Sequence, residues 1–428
     1  VEDYKKLKKQ LDGLIGKIKF NPNSNLRLER ITSLLELLGN PQDKFLSIHV
    51  GGTSGKGSTS TIISYILTEA GYKTGLHISP YLQVINEGFQ INNSLVSSSR
   101  LLELMKKIMP AVEEVERKSS FGKPSYFEVK IAIAFSLFAE EKVDVAVVEV
   151  GLGGKLDATN VLNSKVAVLT NVGLDHTSIL GNTIEEIISD KAEIIKPNQI
   201  VVSGVTQLSA QQIVANKAKE VGAKLFQYNL DFKTIKNLEI GMNGDFQRIN
   251  AACAIAAAQA FSDKKITDKQ IASGIKKAKI PGRMEVVQKN PIVILDGAHN
   301  KDKMMALTTS LRKKYPKKKW ISVVSFKEDK DADTMLEMLS ENSEIIIATE
   351  FHGNPLWGPY KAEEISERIK KKNLPVEVII NKNSINSVKK AIEIAKNKKD
   401  ALVLITGSLY LVGSVRDYWH PIKELIEQ

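Results

Sequence analysis

The sequence predicts an α/β protein of two domains, the first a mostly parallel sheet built around a phosphate loop and the second a smaller α/β unit. Three observations predict it. Apolar, β-branched runs alternate with helical patterns through both halves of the chain, as in a parallel sheet covered on both faces. A length of 428 residues exceeds one ordinary domain. Between the first strand pattern and the next helix lies Gly51-Gly52-Thr53-Ser54-Gly55-Lys56-Gly57-Ser58, a glycine-rich turn that lets backbone N–H groups approach a phosphate.

Two amphipathic helices open the chain. Tyr4, Leu7, Leu11, Leu14 and Ile18 mark the first; Ile31, Leu34, Leu35 and Leu38 mark the second, which stops at Gly39-Asn40-Pro41. Strands are expected at 45–50, 74–78, 143–150, 166–172 and 199–203, with helices around 58–70, 98–118, 126–140 and 183–195. A second series follows Pro281-Gly282-Arg283, with strands at 292–295, 320–325, 344–348, 376–380 and 401–406 and helical patterns between them. The stretch 280–291 carries two prolines, a glycine and few apolar residues, which places the domain boundary there. The expected domains are 1–284, an ATP-binding P-loop domain, and 285–428, a smaller Rossmann-like domain.

Composition narrows the class. With 43% apolar and 25% charged residues the chain can bury a full core. Its charged start carries no signal segment and no apolar run is long enough to cross a bilayer, so a soluble cytoplasmic protein without a membrane partner is expected. The single cysteine, Cys253, sits in an alanine-rich helical run and reads as a small buried hydrophobe. A net charge of +11 invites a nucleic-acid partner. Its densest clusters, at 313–319 and 370–372, lie at the ends of helical segments, where the helix dipole favours lysine. No recognition signature accompanies them, so no nucleic-acid partner is expected, and a basic surface equally suits small polyanionic substrates.

The loop resembles G-x-x-x-x-G-K-[ST] with Gly57 inserted between lysine and serine. Lys56 supplies a charge for the β- and γ-phosphates of ATP, and the Ser58 hydroxyl is a candidate Mg²⁺ ligand. Ligands of open α/β sheets bind at the carboxyl ends of the strands, and three more polar residues stand there. Ser79 follows 75–78, Glu149 closes a Walker-B-like apolar run 145–148, and His176 follows the strand beginning at 166. A carboxylate at such an end can hold the Mg²⁺ that bridges ATP phosphates. Taken singly each has a structural reading: a turn before Pro80, a capped strand end, and a histidine bonded to Asp175.

The phosphate loop, Ile78-Ser79-Pro80, Glu149-Val150-Gly151-Leu152-Gly153-Gly154, Leu174-Asp175-His176, the 191–196 block, Pro281-Gly282-Arg283, Asp296-Gly297-Ala298-His299-Asn300 and the 405–410 block occur in the order found in folylpolyglutamate synthases. Over essentially its whole length the chain resembles that family, within the Mur ligase superfamily. The resemblance implies an ATP-dependent ligase that activates a folate γ-carboxylate as an acyl phosphate for attack by L-glutamate. It implies one or two Mg²⁺ ions held by Ser58, Ser79, Glu149 and His176, and a carbamylated Lys191 near them, so that Lys56, His176 and Lys191 serve catalysis. Thr53, Ser54, Gly55, Lys56, Gly57 and Ser58 would wrap the phosphates. Asn250 would contact the adenine, and Arg283 and Asp296 would bind ATP from the linker and second domain. His299 and Ser408 would border the glutamate site, and a monomer is expected. Phe127, Asp157 and Ala158 lie in segments resembling the pterin site of bifunctional members that also join glutamate to dihydropteroate, which leaves that activity open. Three departures stand out: Ser54 where the family has Asn, Gly88 where a basic residue usually follows Asn-Glu, and Glu193 where glycine is common. A Mur-type cell-wall ligase normally carries a further N-terminal domain, whereas about 40 residues precede the loop here. A nucleic-acid-dependent NTPase would account for the loop and the charge alone.

Overall fold

The computed structural model describes residues 1–15, 28–118, 120, 122–235, 238–352 and 358–427. Ile18, the last mark of the first expected helix, lies outside them. The described residues divide into two compact units: those within 1–241, 247–279 and 426–427, and those within 242–246 and 280–425.

The first unit holds an eight-stranded sheet of β1 (Leu46–Gly51), β2 (Thr74–His77), β3 (Gln90–Ile91), β4 (Ser94–Leu95), β5 (Val145–Glu149), β6 (Val166–Leu169), β7 (Ile200–Ser203) and β8 (Lys224–Gln227), in the spatial order β4-β3-β2-β5-β1-β6-β7-β8. From β2 to β8 neighbours run parallel, while β3 and β4 add an antiparallel edge. The central strands are buried on both faces, which is why β5 and β6 read as continuous Val/Ala/Leu runs, while β1 also buries Ser47 and His49. The second unit holds β9 (Glu285–Lys289), β10 (Ile292–Leu295), β11 (Lys319–Val324), β12 (Ser343–Glu350), β13 (Glu377–Asn383) and β14 (Ala401–Thr406), ordered β13-β12-β11-β14-β10-β9 and parallel except for β9.

The expected strands all form, with shifted ends. The run 166–172 stops pairing at Leu169, because Thr170 and Asn171 turn their side chains to the phosphate loop. Sequence reading missed β8 and the two-residue strands β3 and β4, all at or near a sheet edge, and the antiparallel β9. Among the described residues no helix is long and apolar enough to cross a membrane.

Helix Tyr126–Glu140 carries an internal ion pair. Its N-cap Ser125 and N3 Glu128 form a capping box, and both Glu128 oxygens also accept from Arg30 Nε, at 2.7 and 3.0 Å. Both side chains are over nine-tenths buried. Removing one partner strands the other charge in the interior, which costs about 3–5 kcal/mol. Arg30→Leu is therefore expected to lower the denaturant midpoint by that equivalent. A midpoint near that of the wild type would mean that the pair is solvated and structurally idle.

Candidate active site

Backbone clearance decides the shape of the phosphate loop. Gly52 has φ +138°, and a Cβ there would lie 2.0 Å from Thr170 Oγ1; Gly55 has φ +81°, and a Cβ there would lie 2.4 Å from Asn250 Oδ1. Neither position admits a side chain. Helix Lys56–Glu69 begins directly after Gly55 without a side-chain cap, so its first N–H groups are left for an anion. Residues beyond β6 brace the loop: Ser54 N–H donates to Asn171 Oδ1 (2.8 Å), Thr53 N–H to Asn171 O (3.1 Å), and Thr170 Oγ1 to Ser54 O (2.7 Å). On the other side Gln247 Nε2 donates to Ser58 Oγ (3.2 Å) and Asn250 Nδ2 to Gln247 Oε1 (2.9 Å). Asn250 thus abuts Gly55 and belongs to a chain of amides ending on Ser58.

Two lysines converge on one carbonyl. Lys56 Nζ and Lys191 Nζ donate to Gly52 O at 3.1 and 3.2 Å. Lys191, near the end of helix Ile184–Ala192, is buried, and desolvation together with the Lys56 charge pulls its pKa down to about 7, against the partial opposition of Asp190, Asp175 and Asp157. Gly153 and Gly154 admit this helix end: a Cβ on either would lie 2.5–2.6 Å from Asp190 atoms. Glu193 pairs at the surface with Lys217 at 3.0 Å.

The order β2-β5-β1-β6 sets Ser79, Glu149, the loop and the segment after β6 side by side on the carboxyl rim. Glu149 is buried and its Oε2 accepts the Ser79 N–H at 2.9 Å. His176 stands further out, its side chain 48% exposed and its backbone left-handed at φ 53°, with Asp175 Oδ1 3.9 Å from Nε2. Among the described residues no three His, Cys, Asp or Glu side chains converge as a metal cluster. The donors on this rim are instead hydroxyl and carboxylate oxygens, which fits Mg²⁺: it commonly takes one or two protein oxygens and completes its shell with phosphates and water.

Phe127 and Asp157 flank Gly151, where a Cβ would lie 2.5 Å from Phe127 Cζ and 3.0 Å from Asp157 Oδ2. Asp157 is buried, and desolvation raises its pKa. Its carboxylate accepts from Leu152 N–H (2.7 Å), Thr159 N–H (2.9 Å) and the Thr159 hydroxyl, so it also clamps the glycine segment; Ala158, buried, follows it. His49, fully buried, meets Thr159 Oγ1 at 2.7 Å, and desolvation holds it neutral with a pKa of about 3.

The second unit gathers its own set at the ends of β10 and β14. Asp296 Oδ2 accepts the Met284 N–H and Oδ1 the Ala298 N–H, both at 2.8 Å; burial raises its pKa while Arg283 opposes the rise. A Cβ on Gly297 would lie 2.8 Å from Arg283 Nη1. His299 Nδ1 lies 2.7 Å from Gly297 O and Nε2 3.1 Å from Lys303 Nζ. As Lys303 can only donate, Nδ1 carries the proton and the ring is neutral. Ser408 caps helix Leu409–Arg416, and Gly407 N–H donates to Ala298 O at 3.1 Å, tying the two blocks together. Sequence reading missed Asn171, Gln247 and Lys303. Only the polar pair Thr170-Asn171 at the end of an apolar strand carried a signal.

Over most of its length the chain is similar to known proteins. Residues 50–258 match the Mur ligase middle domain and 279–418 the C-terminal domain of dihydrofolate synthetase. The chain is 34% identical to the dihydrofolate synthase/folylpolyglutamate synthase of Bacillus subtilis, over 94% of this chain and 96% of that one. It is 32% identical to the folylpolyglutamate synthase of Lacticaseibacillus casei, over 90% and 93%. Among solved structures, that of Mycobacterium tuberculosis folylpolyglutamate synthase complexed with ADP and AMPPCP superposes with a TM-score of 0.89 at 28% identity, covering 98% of both chains. Escherichia coli FolC in complex with DHPP and ADP gives 0.85 at 28%, covering 96% of this chain and 97% of that one. A bifunctional folylpolyglutamate synthase/dihydrofolate synthase with Mn, AMPPNP and L-glutamate bound gives 0.82 at 28%, over 96% and 97%.

Proposed function

The chain belongs to the folylpolyglutamate and dihydrofolate synthase family of the Mur ligase superfamily, and from that premise we propose that it is an ATP-dependent ligase joining L-glutamate to the γ-carboxylate of folates. The observation that carries this is the phosphate loop, with Lys56 and the buried Lys191 on the Gly52 carbonyl and Glu149 on the adjoining rim. A carboxylate is a poor electrophile, so its oxygen first attacks the γ-phosphorus of ATP and ADP leaves. The glutamate amine then attacks the acyl carbon, phosphate departs with the C–O electron pair, and the nitrogen loses a proton to give the amide.

Thr53, Ser54, Gly55, Gly57 and the free N–H groups of the helix start cradle the phosphates, and Lys56 neutralises the transferring group. Bound Mg²⁺, one ion or two, would be held by Ser58, Ser79 and Glu149, with His176 completing the set from the exposed side, and would supply charge neutralisation at the triphosphate. In the second unit Arg283 and Asp296 would serve ATP, and His299 and Ser408 would border the glutamate; Asn250, which abuts Gly55, would contact the adenine. Lys191 works as a carbamate: the ammonium loses one proton, the neutral amine attacks CO₂ and loses a second, and a positive charge is replaced by a carboxylate. A pKa of about 7 supports this, since much of the amine is neutral at neutral pH. The division of labour follows the two units, whose boundary after residue 279 puts Arg283 in the second unit and not in a first domain of 1–284, in a monomer working in the cytoplasm. The dense lysines serve the surface: Lys313 pairs with Asp245 and Lys372 with Glu337, both at 2.6 Å.

The test is ADP release by the purified protein with ATP, glutamate and, in turn, dihydropteroate, dihydrofolate or a reduced folate. Release that needs both glutamate and a pteridine acid is expected. Release stimulated by nucleic acid and indifferent to folates would replace this reading with a nucleic-acid-dependent NTPase.

Dihydropteroate is a second substrate on the observation that Phe127 offers a ring and Asp157 a carboxylate on either side of Gly151. Asp157→Ala is expected to slow glutamate addition to dihydropteroate by about a hundredfold, the loss of a hydrogen-bonded charged acceptor at ~3 kcal/mol. Addition to a folate already bearing glutamate should fall by no more than about tenfold. Equal losses on both substrates would confine Asp157 to holding the glycine segment.

A further inference from the structure

His49 is a fully buried imidazole to which the mechanism above gives no role. It stands on β1 just before the phosphate loop, in register with Val148 of β5, and Val148 belongs to the apolar cluster built with helix Tyr126–Glu140. Its Nε2 lies 2.7 Å from Thr159 Oγ1, while Nδ1, also buried, has no hydrogen-bond partner among the described residues. The next link decides where the protons are. Thr159 has one hydroxyl proton, and its oxygen also makes a short contact with Asp157 Oδ1. An ionised carboxylate can only accept, so the hydroxyl donates to Asp157 and keeps its lone pairs for His49. The imidazole therefore carries its proton on Nε2 and donates it to Thr159. The reverse chain needs a protonated Asp157 and strands an N–H at Nδ1, and a buried N–H without an acceptor is the costlier orphan.

Asp157 Oδ1 thus receives two donors from one residue, the Thr159 N–H at 2.9 Å and the Thr159 hydroxyl. The other oxygen, Oδ2, accepts the Leu152 N–H at 2.7 Å and lies toward Gly151, where a Cβ would be 3.0 Å from it and 2.5 Å from Phe127 Cζ. With Oδ1 filled, Oδ2 is the oxygen left for a donor lying against the Phe127 ring. Burial favours the protonated acid, and the Thr159 hydroxyl opposes that first among the hydrogen bonds, so the same donor keeps Asp157 an acceptor.

We propose that His49 is a positioning residue for Asp157: by holding the Thr159 hydroxyl as a donor to Oδ1, it fixes the plane of the carboxylate and presents Oδ2 to the N–H donors of a pterin. The inference rests on the reading of Asp157 as the pterin-binding carboxylate. Without His49 the hydroxyl is free to rotate, and Oδ1 loses its second donor for part of the time. The role belongs to binding of the pteridine and not to the acyl-transfer chemistry, because His49 acts through Thr159 and touches no reacting atom.

Two measurements test this. The first needs no substrate: in protein labelled with ¹⁵N-histidine, the His49 ring nitrogens, assigned by their loss in His49→Gln, are expected to show a protonated Nε2 and a bare Nδ1 at pH 7. A proton on Nδ1 overturns the proposal. The second is the KM for dihydropteroate at saturating ATP and glutamate, taken on variants that circular dichroism shows to be folded. His49→Phe and Thr159→Val are each expected to raise it about tenfold, with kcat within about threefold of wild type. The double variant should stay within about threefold of the worse single one, since both remove the same donor. His49→Gln, which keeps an N–H, should recover most of the loss, and His49→Phe should add no more than about threefold to the kcat/KM loss of Asp157→Ala. If His49→Phe does not fold, His49→Met, which also lacks an N–H, carries the same expectations. Losses that multiply in the double variant, or a further tenfold loss on top of Asp157→Ala, overturn the proposal, because packing alone would act independently of Asp157. A wild type with the expected tautomer that adds no glutamate to dihydropteroate overturns the pterin reading and the role built on it. The other tautomer beside normal turnover overturns the His49 proposal alone.

Discussion

Lys56→Ala is expected to turn over about a hundredfold more slowly than wild type at saturating ATP while unfolding at nearly the same temperature. The magnitude follows from removing one charged donor that stabilises the transferring phosphoryl group, ~3 kcal/mol of barrier. The structure explains why the fold should survive. Lys56 is half-buried at the first position of its helix, and the hydrogen bond at its ammonium is to Gly52 O at 3.1 Å. The loop around it is held by other groups, Asn171 and Thr170 on one side and Gln247 on the other. Turnover within a few-fold of wild type would remove Lys56 from the phosphate site.

Lys191→Ala should lose about two to three orders of magnitude in activity, the cost of deleting a charged organiser of a phosphate site, and acetate should restore part of it by filling the space of the carbamate. The pH dependence has a definite sign. Burial and the neighbouring Lys56 lower the Lys191 pKa from the ordinary lysine value to about 7. The neutral amine that captures CO₂ therefore predominates above about pH 7 and is lost as pH falls through it. Activity in bicarbonate buffer should decline in that window, and a ¹³C carbamate resonance from labelled CO₂ should decline with it. Full activity in carbonate-free buffer, or a wild-type protein with no such resonance, would contradict the assignment.

Much of this was legible in the sequence where local and global signals agree. Helix Tyr126–Glu140 was readable to its ends because Ser125 and Glu128 form a capping box ahead of an apolar run. Strands β5 and β6 were readable because burial on both faces favours continuous apolar residues. Strand β8, Lys224–Gln227, was not: at the sheet edge it has only Leu225 and Phe226 as apolar residues, and both are half-buried. The strand expected to reach residue 172 stopped at Leu169 because Thr170 and Asn171 serve the phosphate loop, a demand that arises only once β1 and β6 pair.

The site divides in the same way. Glycines, Lys56 and the strand-end Glu149 announce themselves by type and position, since few residues other than glycine tolerate φ +81° and few other than an acid would close such a strand. The groups that brace them do not. Asn171 is 117 residues from Ser54, and Gln247 is 189 residues from Ser58. An ordinary polar residue acquires its role through a partner that only the fold supplies.

The acyl-phosphate step is tested most directly by following oxygen. A folate substrate labelled with ¹⁸O in the γ-carboxylate is incubated with the enzyme, ATP and L-glutamate, and the released phosphate is analysed by mass spectrometry. Attack of the carboxylate on ATP followed by displacement by the amine must leave one ¹⁸O atom in each phosphate formed, with ADP produced in equal amount and only when glutamate and folate are both present. Unlabelled phosphate, or AMP in place of ADP, would contradict it.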